Sequence, residues 1–176
     1  MGIRNSALAA AALLLLSSIC PPPTQSTGSP EHRLMTVMAG HGIEVGLLSK
    51  QHHDACGALE GAYMPQEGEP ALVICQEDVW DDFRSMVLRH EAIHAIQDCR
   101  DNDPKWPGWM AAGMTRQQSE VYAEKHGIDL DQFLVPYSMT GADDHELALE
   151  AEAYVLAQHL TTDQVIAEFN RVCRSA

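Results

Sequence analysis

His90 and His94 stand four residues apart in the stretch RHEAIHAIQDC (Arg89–Cys99), with Glu91 directly after the first. On a helix, positions i and i+4 lie one turn apart on the same face, so both imidazoles can point at one ion. The pattern is H-E-x-x-H, the spacing of a zinc site whose glutamate serves as general base. Zinc takes imidazole nitrogen at about 2.0–2.1 Å, and a catalytic site keeps three protein ligands and one open place for water. Zinc lowers the pKa of that water. Glu91, one step round the helix from His90, can then take its proton without itself being a ligand. The competing reading is a pair of core histidines hydrogen-bonded to backbone.

A third ligand is needed. The extension HExxHxxGxxH fails, because Gln97 stands where Gly belongs and Arg100 where the third His belongs. The ligand is therefore expected from a later helix, ELALEAEAYVLAQHL (Glu146–Leu160). Glu152 has Ala148, Leu149, Val155, Leu156 and His159 as its helical neighbours, and a carboxylate in so apolar a stripe is costly unless it is paired or bound to a metal. Glu150, beside Glu146, Leu147, Ala153 and Tyr154, is in a less apolar setting. Glu152 ranks first, Glu150 second and Glu146 third, against a solvated acidic helix face for all three.

These two motif helices resemble the compact zincin metallopeptidases whose third zinc ligand is glutamate. The ImmA/IrrE-type peptidases carry a similar second motif, which in this sequence reads EAEAYVLA (Glu150–Ala157). Aligning the glutamate that precedes Ala supports Glu152. The resemblance covers the two motif helices and loosely the strand pair before them, and that family works inside cells. It implies a small sheet on the HExxH helix whose edge strand, LEGAYM or ALVIC, would hold an extended peptide by main-chain hydrogen bonds.

The elements that would position these groups are legible in outline. Glu31–Ala39 reads as a short helix, and Ile43–Leu48 alternates like a strand. LEGAYM (Leu59–Met64) and ALVIC (Ala71–Cys75) read as two strands joined by the turn residues of PQEGEP. From Asp81 the period changes. Phe83, Met86, Val87, His90, Ile93, His94 and Gln97 fall on one helical face, with Asp81 or Asp82 as cap and Asp103 and Pro104 as the close. Further helices are expected at Gln117–Lys125, Asp129–Val135 (stopped by Pro136), Asp144–His159 and Thr162–Arg174. Strands first and helices after predict an α+β, zincin-like fold with a small antiparallel or mixed sheet and a helical C-terminal half.

Composition sets limits on partners. The 176-residue chain carries a formal charge of −14, which argues against nucleic-acid binding and against docking on anionic lipid. Residues 1–20, with Arg4 and the apolar run Ala7–Ile19, read as a signal peptide. That run is too short to span a bilayer. Residues 21–30 read as a linker and 31–176 as the domain. Cys20 is a weak candidate for lipid attachment. The expected location is secreted or periplasmic, with no stable membrane insertion after leader removal. Export turns the remaining cysteines into candidates for two disulfides, with Cys56–Cys75 and Cys99–Cys173 favoured among three pairings.

The expected function is that of an exported zinc metalloendopeptidase acting on a peptide or protein. Zn2+ sits on His90, His94 and Glu152, and Glu91 is the general base. A catalytically silent binding module on the same scaffold is the alternative, and a hydrolase of a non-peptide amide is a minor third. Tyr137 is the first choice for an oxyanion donor, ahead of His126, His145, His159 and Arg116. His52 and His53 as a second metal site, and Trp106 and Trp109 as cleft walls, are weaker candidates than surface histidines and a buried aromatic loop.

Overall fold

The computed structural model describes residues 28–49, 56, 60–65, 69–75, 80–101 and 111–173. The expected leader, the linker up to residue 27, His52, His53, the helix close at Asp103 and Pro104, and Trp106 and Trp109 lie outside them. Among the described residues the order is α1 (Pro30–Gly40), β1 (Glu44–Leu48), β2 (Gly61–Met64), β3 (Ala71–Cys75), α2 (Asp82–Asp101), α3 (Arg116–His126), α4 (Leu130–Thr140), α5 (Asp144–His159) and α6 (Thr162–Val172). This is the expected α+β class, with a three-stranded mixed sheet and a helical C-terminal half. Pro30, assigned above to the linker, is the first residue of α1. Its missing N–H costs nothing at that position, and Ser29 caps the turn by accepting from His32 N.

The sheet order is β1–β3–β2. β1 runs parallel to β3, pairing Glu44 with Ala71 through Leu48 with Cys75. β2 runs antiparallel to it, pairing Gly61 with Ile74 and Met64 with Ala71. All five residues of ALVIC are buried, because β3 is the central strand. LEGAYM, not ALVIC, therefore supplies an edge. One face of the sheet, through Leu72, Ile74 and Tyr63, joins α1, α2 and α6 in the main core. The other face is closed by Leu48, Cys56, Val73, Cys75 and Met64.

α2 is the axis of the fold. From His90 to Gln97 every residue is buried, so the helix meets packing partners all round its circumference. Phe83 departs from the expected core face and is 51% exposed in the first turn. α4 departs further, continuing through Pro136 to Thr140 before closing on left-handed Gly141. A mid-helix proline removes a backbone donor, at about 3 kcal/mol or more. Leu134 and Tyr137 pack on the cluster that includes Leu147, Ala151 and Tyr154 of α5, and this packing carries the helix past the break.

Both disulfides pair as expected, Cys56 with Cys75 and Cys99 with Cys173. The first staples the β1–β2 connection to the end of β3. The second staples the end of α2 to the end of α6. Two such bonds suggest an oxidising, extracytoplasmic environment. No helix among the described residues is long and apolar enough to cross a membrane. Cys99–Cys173 closes the longer loop, with a sequence separation of 74. Replacing both cysteines by serine is expected to lower unfolding stability by about 2–4 kcal/mol, read as a fall in the denaturant midpoint at unchanged slope.

Candidate metal centre

Helical spacing puts His90 and His94 on one side of α2, 8% and 5% exposed. Their Nε2 atoms face one another at 3.1 Å, and the rings meet edge to face. The Glu150 carboxylate of α5 completes the group. Its Oε2 is 3.3 Å from His90 Nε2 and its Oε1 is 3.6 Å from His94 Nε2. Among the described residues this is the one cluster of three or more metal-type donors.

The third member is thus Glu150, the second choice of the sequence reading. Glu152 does not reach the pair. It is buried as expected, at 1% exposure, but its charge is met by protein donors. Arg100 Nη1 donates to its Oε1 at 2.8 Å, while Gln97 Nε2 and Gly113 N donate to its Oε2, each at 2.9 Å. Glu146, the third choice, is spent on the capping box of α5, where its side chain accepts from Asp143 N at 2.9 Å.

The donor set fits a divalent transition metal such as zinc. Two imidazoles and a carboxylate are ligands of the catalytic type. Ligand atoms about 2.0–2.1 Å from one tetrahedral ion stand roughly 3.3–3.4 Å apart, close to the 3.1 Å between the imidazole nitrogens and the 3.3 Å from His90 Nε2 to Glu150 Oε2. Glu150 Oε2 is buried with no hydrogen-bond partner, an orphaned acceptor that a cation would satisfy.

The electrostatics favour positive charge at the same point. Burial alone would raise the Glu150 carboxyl, but the His90 and His94 imidazoles that face it hold it well below the usual range. Burial opposes protonation of His94, yet Glu150, then Glu91 and Gln97, hold its pKa up at about 9. Glu91, 7% exposed, is close enough for its charge to act on both His94 and Tyr137.

Glu91 also touches the sheet edge. A Cβ on Gly61 would lie 2.8 Å from Val87 Cγ1, 3.0 Å from Glu91 Cγ and 3.2 Å from Ile74 Cδ1. Glycine is what lets β2 lie this close to the helix. Tyr63, two residues on, fixes the strand by donating to Asp98 Oδ2 at 2.7 Å.

Because α4 runs on past Pro136, Tyr137 lies on a helix rather than in the expected loop. The Tyr137 phenol is pushed up by burial first, and then by the Glu150 and Glu91 carboxylates beside it. Phe133, one turn earlier, meets His90 edge to face with centroids 5.8 Å apart and stacks on Tyr154 at 3.8 Å. Phe133 is a site residue that the sequence motifs do not single out. Its signal was the i, i+4 spacing to Tyr137 on a helix that Pro136 hid.

The other donors considered are placed elsewhere. His126 and His159 meet at a tilt with ring centroids 4.2 Å apart and line a separate hollow of about 370 Å3 that none of His90, His94 and Glu150 borders. Arg116 is paired with Glu120 at 2.9 Å, and His145 is exposed in the first turn of α5.

Two outcomes follow from this geometry. Gly61→Ala is expected to cost about 1–3 kcal/mol through overpacking, measured by chemical denaturation. Folding raises the pKa of His94, so its contribution to stability is complete below about 6.5 and is lost as pH rises through about 9. Folding lowers that of Glu150, so its contribution is complete above 4.5 and is lost only in acid. In metal-free protein the melting temperature should therefore fall between pH 6.5 and about 9, and His94→Gln should remove that fall.

No family model matches the sequence, and no curated protein or solved structure matches it.

Proposed function

We propose that the chain is an exported zinc-dependent metallopeptidase in which His90, His94 and Glu150 hold the metal and Glu91 is the general base. The observation that carries the reading is the convergence of the two HEAIH imidazoles and the Glu150 carboxylate, whose ligand atoms all lie within 4.8 Å of one another. The leader-like residues 1–20 and the two disulfides support export. The likeness of HEAIH and EAEAYVLA to glutamate zincins supports the reaction class, with the ligand now taken as Glu150.

When bound, zinc supplies Lewis-acid polarisation and makes water acidic enough to act as a nucleophile near neutral pH. The chain's own groups do the rest. Glu91 takes a proton from the attacking water and returns it to the departing amine. Tyr137, protonated and beside the two carboxylates, is placed to donate to the oxygen that gains charge as the carbonyl is attacked. The β2 edge, held against Glu91 at Gly61 and pinned by Tyr63, offers backbone groups to an extended peptide. That mode gives weak side-chain preference. Phe133 packs on His90 and excludes water from that flank.

Glu91→Gln should keep fold and zinc while lowering peptide cleavage by roughly 10²–10⁴-fold, assayed on casein and a mixed peptide library. Glu150→Gln should lose tight zinc binding and cleavage together. Cleavage by Glu91→Gln at the wild-type rate would exclude the mechanism. Tight zinc with no cleavage of any peptide by the wild type would favour a binding module.

A further inference from the structure

Gln97 is fully buried, and all its polar atoms have partners. Its amide nitrogen donates to Leu149 O at 3.0 Å and to Glu152 Oε2 at 2.9 Å. Both partners are acceptors only, one a backbone carbonyl and the other a carboxylate paired with Arg100. Turning the amide over would set its oxygen against both of them. The nitrogen is therefore held toward α5, and the oxygen faces His94 Nδ1 at 2.7 Å. An amide oxygen only accepts, so His94 Nδ1 must carry a proton. In the neutral imidazole the free lone pair is then on Nε2, the nitrogen that faces His90 and Glu150.

Glu152 is itself fixed from three sides, by Gln97, Arg100 and the Gly113 N–H. A Cβ at residue 113 would sit 2.7 Å from both Glu152 Oε1 and Arg100 Nη1, so glycine is what allows the backbone to reach this carboxylate. Arg100 extends the line to Glu168 of α6 at 3.5 Å.

We propose that Glu152 and Gln97 form a positioning relay that fixes the tautomer and ring orientation of His94, so that it ligates metal through Nε2. The relay rests on the reading of His90, His94 and Glu150 as a zinc site. Glu152 acts through Gln97 and does not touch the ion. The fragment E-x-E of α5 thus divides its labour between one glutamate for the metal and one for the imidazole that binds it.

The test is a zinc competition titration on the disulfide-bonded protein with a chromophoric chelator. Gln97→Leu should weaken zinc by roughly 10–100-fold. Phe169→Leu, a core change in α6, should lower the melting temperature without changing zinc affinity, which separates the relay from general loosening. Glu152→Gln should weaken zinc in the wild-type background and add nothing to Gln97→Leu, since it acts through the same residue. Zinc affinity in Gln97→Leu within about twofold of wild type, against the expected loss, would overturn the relay. So would full additivity of the two substitutions.

A second readout does not depend on the variants folding. In zinc-loaded wild type with ¹⁵N-labelled histidine, long-range NMR correlations should place the His94 proton on Nδ1, and a proton on Nε2 would overturn the relay. A wild-type chain that binds no zinc fails the underlying reading and takes the relay with it. A zinc-binding chain indifferent to Gln97→Leu fails the relay alone.

Discussion

Polar groups buried along one side of a central helix must each find a partner, and the architecture follows from how they do. His90, Glu91, His94 and Gln97 are all 8% exposed or less. An unpaired buried polar atom costs about 1–3 kcal/mol, and an unpaired charge more. The packing of α5 on α2 answers most of this demand with two glutamates. Glu150 faces the imidazole pair. Glu152 faces Gln97 and Arg100. Glu150 Oε2, without a hydrogen-bond partner among the described residues, lies 3.3 Å from His90 Nε2.

The remaining elements hold this arrangement still. Cys99–Cys173 fastens the C-terminal end of α2, two residues beyond Gln97, to α6. On the opposite flank β2 approaches closely enough at Gly61 to touch Glu91. α4 lays Phe133 against His90 and brings Tyr137 beside Glu150. A site assembled from α2, α4, α5 and a sheet edge needs all four held in register. The two disulfides add to this by constraining the unfolded chain.

Much of this was legible in the sequence, and what was not has a physical cause. HEAIH could be read because its meaning is local, with i and i+4 on one helix face whatever the rest of the chain does. ALVIC read as a strand from its unbroken apolar run, while the cysteine pairing was only a preference among three that sequence alone does not choose between. Glu150, which faces the imidazoles, ranked below Glu152 because the two sit on one helix about 200° apart. Which of them meets the imidazoles depends on the rotation of α5 about its own axis, a tertiary quantity. The apolar neighbours of Glu152 reported its burial correctly. They could not report that Arg100 and Gln97, on α2, were waiting for an acceptor. Pro136 misled in the opposite sense, since a local breaking rule was overridden by packing on α5 and hid the helical spacing of Phe133 and Tyr137.

The most direct measurement is anomalous diffraction at the zinc edge from crystals of the zinc-loaded protein. The account predicts one strong peak per chain, about 2.0–2.2 Å from His90 Nε2, His94 Nε2 and a Glu150 oxygen, with Glu152 still bonded to Gln97 and Arg100. A peak bound by Glu152 in place of Glu150, or no peak between the imidazoles in metal-saturated crystals, would contradict it.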